Sequence, residues 1–249
     1  IRPAGRASST AQGARADAGV RAPTVGGPGG SAGPRVKDAA ATPSRIAAAT
    51  ALRQLGHAIV GHEVDDDVLS RVARAAEELA AEVGGGPPRR RPVEDMKRDL
   101  FAGPPGDLES MDHFPDCVVS GLANPMGIAM RAHRDGDEAV ARVTLGAAFE
   151  GAPGRAHGGV VAAVFDDTMG FVLSMLRTPA FTGRLTVTYR APTPVGEALE
   201  FRARLREQSG RKLVIEGRAL REGACFAEAE GLFIAIPIER FELGASRPT

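Results

Sequence analysis

A histidine and two glycines lie directly before a long apolar run that contains two aspartates. His157 is followed by Gly158 and Gly159, and Asp166 and Asp167 come nine and ten residues after the histidine. The first N–H groups of a helix have no partner inside the helix, and they lie at the positive end of its dipole. Glycines at that position let a carbonyl group approach the backbone closely. A carboxylate adds a base or a nucleophile, so the stretch points to attack on an acyl carbon.

The spacing decides how these groups can meet. On one helix, nine residues correspond to about 13.5 Å of rise and about 900° of rotation, which places Asp166 on the opposite side. Asp166 therefore cannot reach a carbonyl group held at Gly158 of its own helix. A second, antiparallel copy of the helix would bring the two groups together, so we expect a site shared between two chains. Asp166 would activate a water or attack the carbon itself, and the sequence leaves both roles open.

Each of the polar residues in this stretch also has a plainer interpretation. His157 would orient the turn or a bound water, or it would simply cap the helix. Asp166 would otherwise be a buried carboxylate satisfied by Thr168 or by backbone donors, because an unpartnered buried carboxylate is costly. Asp167, about 100° further round the helix, is interpreted as a rim or interface residue.

The segments around the apolar run alternate as strands do. Residues 138–145, 185–190, 199–206, 213–219 and 226–236 place apolar side chains on one face, with turns at Ser209-Gly210 and Glu222-Gly223. The run from about 158 to 176 is apolar nearly all round and predicts a covered helix. The sequence therefore predicts an α+β domain over residues 111–240, in which a curved antiparallel sheet wraps around one long helix.

The chain before this domain has a different composition. Residues 1–42 are rich in Ala, Gly, Pro and Arg, and we expect a disordered tail that folding and turnover do not require. Residues 43–110 predict a helical extension with a linker at 84–92. Its second helix follows Asp65, Asp66 and Asp67 and carries a stripe of Val68, Val72, Ala76, Leu79 and Val83. Residues 241–249 are expected to be a C-terminal tail.

Charge and cysteine content exclude several function classes. Lys plus Arg and Asp plus Glu both total 31, which gives no general attraction to nucleic acid or to an anionic membrane. Two cysteines make neither a disulfide framework nor a metal site. Two aspartates at the centre of the longest apolar run argue against a membrane span, and no segment resembles a signal peptide. We therefore expect a cytoplasmic protein without a metal.

Three segments together resemble a known family. "CVVSGLANPMGIAM", "FEGAPGRAHGGVVAAVFDD" and "LTVTYRAPTPVGEALEFRARL" are similar to the hotdog-fold acyl-CoA thioesterases, over about residues 117–237. The nearest branch resembles the phenylacetyl-CoA-thioesterase-like group, which includes the mammalian thioesterase-superfamily-member proteins. The resemblance implies hydrolysis of an acyl-CoA thioester to a free acid and coenzyme A, without a cofactor. It also implies paired subunits, as a homodimer or a dimer of dimers.

The resemblance also implies site residues. It places the catalytic Asp at Asp166, the helix-start glycines at Gly158 and Gly159 beside His157, and a Ser or Thr of the following strand at Thr182. Candidate substrate-binding residues are Asn124 and the cations Arg184, Arg190, Arg211 and Lys212, which would meet the phosphates of coenzyme A unless they are ordinary surface charges. Two positions depart from the family pattern, Ser120 in place of a Cys and Glu150-Gly151 in place of an Asn or Gln. They leave the branch and the acyl substrate open.

Two other functions stay open on this fold. One is a non-catalytic module that senses acyl-CoA, with the N-terminal helices as a DNA-binding segment. The second helix begins with three aspartates and carries only Arg71 and Arg74 as bases, which is unlike a recognition helix. The other is a dehydratase or hydratase. The order of His157 and Asp166 favours hydrolysis, although a fold alone does not decide a function.

Overall fold

The computed structural model describes residues 41–89, 104–111 and 113–237. Helix α1 (Pro43–Gly61) begins after Thr42, whose side chain accepts a hydrogen bond from the Arg45 N–H. Helix α2 (Asp66–Gly84) follows, with Asp66 and Asp67 in its first turn, where negative charge suits the helix dipole. The tails expected over 1–42 and 241–249 lie outside the described residues, apart from residues 41 and 42.

The domain after these helices contains one large antiparallel sheet and a small hairpin. The seven sheet strands lie in the order β1-β2-β3-β7-β8-β9-β6, and β4 pairs separately with β5. The bounds are β1 Ser110–Met111, β2 Arg131–Asp135, β3 Glu138–Thr144, β4 Glu150–Ala152, β5 Arg155–Ala156, β6 Ala180–Tyr189, β7 Ala198–Ser209, β8 Lys212–Arg221 and β9 Ala224–Ala235. The consecutive pairing of β7, β8 and β9 confirms the meander that the two turns predict.

Helix α3 (Gly158–Met175) provides the centre of the core, as its sequence predicts. Phe165, Met169 and Phe171 are fully buried, and they belong to one cluster with the inward side chains of the sheet. The helix is long and apolar enough to cross a membrane by length and composition. Here the sheet covers one side of it, and eight of its 18 residues are buried. The burial confirms the prediction of a sheet around one helix and gives the aromatic and methionine side chains a packing role.

The two N-terminal helices differ in how they contact the domain. Helix α1 packs against a short 3₁₀-helix (Ala147–Phe149) and buries Ala49. Helix α2 has no buried residue, and the apolar stripe that its sequence predicts is exposed, with Leu79 59% and Val83 79% accessible. The stripe is thus present, but the described residues of this chain do not cover it.

Strand β6 forms one edge of the large sheet. It pairs with β9 on one side, from Ala180 opposite Ala235 to Tyr189 opposite Ala227. Among the described strands, no other strand pairs with its second side. An edge strand of ten residues presents unpaired backbone groups that favour pairing with another chain.

Candidate active site

The start of α3 is held by His157. Its ring Nδ1 accepts a hydrogen bond from the Gly159 N–H at 2.9 Å, and its backbone N–H donates to the Phe149 carbonyl at 2.8 Å. A Cβ atom on Gly151 would lie 2.8 Å from the Cα of His157, so only glycine fits beneath this turn. His157 is therefore a helix cap in this structure. Gly151, one of the departures from the family pattern, makes room for it.

Gly158 is the first residue of α3 and contacts the end of β6. The Tyr189 hydroxyl donates to the Gly158 carbonyl at 2.6 Å, and a Cβ atom on Gly158 would meet that hydroxyl at 3.2 Å. The Gly158 N–H makes no hydrogen bond with any residue that the structure describes. Because the Gly159 N–H is taken by His157, the Gly158 N–H is the donor left open for a carbonyl oxygen.

Tyr189 is a residue of this region that sequence reasoning did not select. Burial raises the pKa of its hydroxyl, so the hydroxyl stays protonated and keeps donating to Gly158. The signal in the sequence was its place in the Tyr-Arg-x-Pro strand end beside the helix start. Because Tyr189 fixes the first carbonyl of α3, it helps to set the direction of the first helical turn.

Asp166 lies two turns further along α3 and contacts the start of β6. Its Oδ1 accepts a hydrogen bond from the Thr182 hydroxyl at 2.8 Å. Thr168, the alternative partner considered for this carboxylate, donates instead to the Val164 carbonyl at 2.6 Å. The structure thus brings together two of the predicted catalytic residues, Asp166 and Thr182.

The two halves of the predicted site are far apart within one chain. Gly158 and Asp166 are separated by about 12 Å of helix rise. Their partners on β6, Tyr189 and Thr182, are about 23 Å apart along the strand. One carbonyl group therefore cannot contact Gly158 and Asp166 of the same chain.

Asp167 is not at a solvent-exposed rim, which is one of the two positions that its sequence interpretation allowed. Its side chain is 13% exposed, and Oδ1 contacts the His113 Nδ1 at 3.1 Å and the Cys117 thiol at 3.6 Å. The His113 ring stacks on Phe171 with 3.6 Å between ring centroids. The chain that precedes β2 thus folds back over α3, and Asp167 faces it rather than solvent. Helical periodicity could not show this, because His113 lies more than fifty residues away in sequence.

The pKa of Asp167 reflects opposing effects. Burial alone would raise it, but the hydrogen bond and charge of His113 and the hydrogen bonds from Ser120 and Cys117 outweigh burial and hold the pKa below its ordinary value. Asp167 is therefore ionised in the folded protein at neutral pH. The Asp167 Oδ2 and the Ser120 hydroxyl are both buried, and neither has another hydrogen-bond partner among the described residues.

The predicted substrate-binding residues do not gather at one place. Arg190 lies beside the helix start and pairs with Glu228, and Arg184 lies 3.9 Å from Glu230. Arg211 donates to the Ala235 carbonyl, and Lys212 is in register with Ile234, at the end of the sheet where Thr182 lies. The Asn124 side chain donates to the Asp116 carbonyl and accepts from the Met126 N–H. Both ends of the amide therefore form hydrogen bonds within the loop that carries Asn124.

No three metal-ligating side chains are grouped within the part of the chain that the structure describes.

Known families provide an independent comparison. The model of the Thioesterase superfamily matches residues 153–224, which include the helix start, Asp166, Thr182 and Tyr189. This part of the chain is similar to the thioesterase superfamily.

Known relatives match part of the chain. The chain is similar to the mouse acyl-coenzyme A thioesterase THEM4, with 31% identity over 94 residues, which are 37% of this chain and 40% of the relative. The Xenopus laevis THEM4 protein is 32% identical over 90 residues, or 35% of this chain and 40% of the relative. The matched stretch thus spans about two fifths of the length of these relatives.

A solved structure supports the fold. The crystal structure of a thioesterase superfamily protein superposes with a TM-score of 0.65 at 24% identity, covering 76% of this chain and 90% of that chain. The covered share is larger than residues 111–240 alone. The chain therefore has the hotdog fold that the resemblance implied.

Proposed function

We propose that this protein hydrolyses acyl-CoA thioesters to a free acid and coenzyme A. The observation that carries the proposal is the Asp166–Thr182 hydrogen bond of 2.8 Å. It joins a carboxylate inside an apolar helix to a hydroxyl on the next strand, at the positions that the family resemblance assigns to catalysis. The family match over residues 153–224 and the THEM4 relatives support the same reaction.

The chemistry follows from the open groups at the two positions. The Gly158 N–H, at the positive end of α3, would stabilise the negative charge that develops on the thioester oxygen. Asp166 would take a proton from a water that attacks the acyl carbon, or attack that carbon itself. In either case the C–S bond breaks, and the coenzyme A thiolate leaves and is protonated. If Asp166 is the nucleophile, water then hydrolyses the acyl–aspartate anhydride, which releases the free acid and restores the carboxylate. The Thr182 hydroxyl would hold the carboxylate in place during attack.

A two-fold pair of chains would complete the site. If the β6 edges of two chains pair in antiparallel fashion with Thr186 opposite Thr186 of the partner subunit, Thr182 lies opposite Tyr189 of the partner subunit, because the bulge between Thr182 and Arg184 adds one residue to the strand. Asp166 of one chain then approaches Gly158 of the other, and the two-fold axis creates two such sites. The open edge of β6 and the separation of the two halves support this arrangement.

The test is a panel of acyl-CoA thioesters of different chain length and type, with thiol release as the readout. We expect the wild type to turn over at least one substrate and Asp166→Asn to be at least about 100-fold slower. Asp167→Asn is the matched control, because it removes a neighbouring carboxylate with other partners, and we expect it to keep most of the activity. An Asp166→Asn protein that releases thiol at the wild-type rate would contradict the proposal, as would a folded wild type that is inactive on the whole panel.

A further inference from the structure

A basic groove begins at the start of α3 and runs along the β4–β5 hairpin. Its first part, a cavity of about 550 Å³, is lined by His157, Gly158, Tyr189 and Arg190 among others. Its second part, about 570 Å³, is lined by Arg221 and Cys225 among others. Arg155, Ala191 and Pro192 line both parts, so the two cavities adjoin and form one groove that leads away from Gly158.

The arginines of the groove differ in their partners. Arg190 pairs with Glu228, and Arg221 lies 3.6 Å from Glu197. The Arg155 side chain is exposed and makes no hydrogen bond or ion pair with any residue that the structure describes. Arg155 therefore contributes positive charge to the groove that no described carboxylate neutralises.

The backbone that carries Arg155 is fixed. Arg155 forms a bridge with Pro194, and the next residue, Ala156, donates its N–H to the Thr193 carbonyl at 2.9 Å. One residue later, the His157 N–H bonds to Phe149 and begins the helix cap. The guanidinium is thus attached to a rigid hairpin, two residues before the turn that presents the Gly158 N–H.

We propose that Arg155 binds a phosphate of the nucleotide portion of acyl-CoA. The inference rests on the proposed function, because it assumes that the thioester lies at Gly158. Acyl-CoA carries its anionic phosphates at the end opposite the thioester, so a substrate with its thioester at Gly158 would extend its pantetheine arm along the groove. A guanidinium binds phosphate with two parallel hydrogen bonds, and an unpaired one loses no protein partner when it does so.

The test compares two substrates with the same acyl group. One is the acyl-CoA, and the other is the acyl-pantetheine, which has the thioester and the arm but no nucleotide phosphates. For Arg155→Ala we expect KM for acyl-CoA to rise about 10-fold, the effect of losing one charge-assisted contact, with kcat little changed. KM for acyl-pantetheine should not change. Arg155→Lys should have an intermediate effect, because it keeps the charge and loses the planar fork.

Arg74→Ala is the matched control. It removes one exposed arginine from α2, no residue of which lines either part of the groove. We expect its KM values for both substrates to equal those of the wild type. Equal loss of acyl-CoA affinity in Arg74→Ala and Arg155→Ala would show a general charge effect and overturn the proposal.

Calorimetry with coenzyme A separates this inference from the proposed function. If the wild type hydrolyses acyl-CoA but neither KM nor the affinity for coenzyme A changes in Arg155→Ala, the phosphate site is overturned. The proposed hydrolase activity is then still supported. Arg155-dependent binding of coenzyme A by a protein that hydrolyses no thioester supports the phosphate site and contradicts the hydrolase.

Discussion

The two adjacent carboxylates of α3 have different partners and therefore different expected roles. Asp166 bonds to Thr182 on the open edge strand, whereas Asp167 bonds to His113 and Cys117 beneath the preceding chain. A step of one residue rotates a side chain by about 100° around a helix. Because of that rotation, Asp166 lies at the proposed active site, whereas Asp167 forms hydrogen bonds that stabilise the fold.

The hydroxyl of Thr182 should matter for rate more than for stability. Thr182→Val keeps the shape of the side chain and removes its hydrogen bond to Asp166. Because a hydrogen bond to a charged group contributes roughly 1.5–3 kcal/mol, we expect kcat to fall by about 10-fold or more. Thr182→Ser restores a hydroxyl and should recover most of the rate. Steady-state kinetics checks both, and a Val variant with wild-type kcat would remove Thr182 from the catalytic group.

Asp167 should make the stability of the protein depend on pH in acid. The pKa of Asp167 is lower in the folded state than its ordinary value. The carboxylate therefore contributes fully to the free energy of unfolding above the unfolded pKa of about 3.9, and this contribution is lost as the pH falls through the lower, folded pKa. Asp167→Asn should cost roughly 1–3 kcal/mol at neutral pH and weaken the loss of stability below about pH 4. Denaturant unfolding at several pH values measures this. A variant that keeps the full acid dependence would contradict it.

The residues of the predicted site were accessible from sequence to different degrees. Asp166 and Thr182 follow from the motif and lie together in the structure. The cap by His157 follows from its position before two glycines. The Gly159 N–H, predicted as a donor to substrate, is occupied by that cap, which only coordinates could show. Arg155 was not selected because its significance depends on which other arginines are neutralised.

At the scale of elements, α1 braces the segment that leads into the site. Arg53 donates to the Leu122 carbonyl at 3.0 Å and the Asn124 carbonyl at 2.6 Å. The His57 Nδ1 accepts from the Ala148 N–H at 3.1 Å, and its ring contacts Phe149 edge to face. Since Phe149 accepts the His157 N–H, a short path of contacts joins α1 to the cap of α3.

The brace predicts a pH dependence of its own. Burial, and then the charge of Arg53, lower the pKa of His57, so the folded state resists its protonation. Stability should therefore decrease as the pH falls below about 6.5, where the unfolded chain takes up the proton. His57→Ala should remove this dependence and cost about 1 kcal/mol at neutral pH, the value of one hydrogen bond.

His62→Ala is the control for the brace, because His62 is exposed and bonds only within its own helix among the described residues. Thermal unfolding between pH 5 and pH 8 checks the comparison. If the two variants show the same pH dependence, His57 does not brace the domain.

The large elements were predictable because their patterns are long. The bounds of α3 and the β7–β9 meander follow from apolar periodicity and turn residues. The β4–β5 hairpin was not predicted, since its two strands are only three and two residues long and its place depends on contacts with Phe149 and Thr193. The apolar stripe of α2 was predicted as a pattern, but it is exposed in the structure. An apolar pattern shows which face of a helix is apolar and does not show which surface packs against it.

At the scale of the whole molecule, the edge of β6 left unpaired among the described strands and the separation of Gly158 from Asp166 both indicate that the active protein is at least a dimer. We expect the protein to sediment at assay concentration with at least twice the 25.9 kDa mass of the chain. Sedimentation velocity measures this directly. An active species with the mass of a single chain would contradict the shared site.

The most direct test mixes two inactive variants after subunit exchange. Asp166→Asn removes the carboxylate, and Gly158→Leu blocks the helix start, where even a Cβ atom would meet the Tyr189 hydroxyl at 3.2 Å. In a shared site, a mixed dimer has one site with both lesions and one with neither. Random exchange of equal amounts should therefore restore about a quarter of the wild-type thiol release. Two distinguishable tags can show that subunits have exchanged. If exchange is shown and thiol release does not recover, a site built from two chains is contradicted.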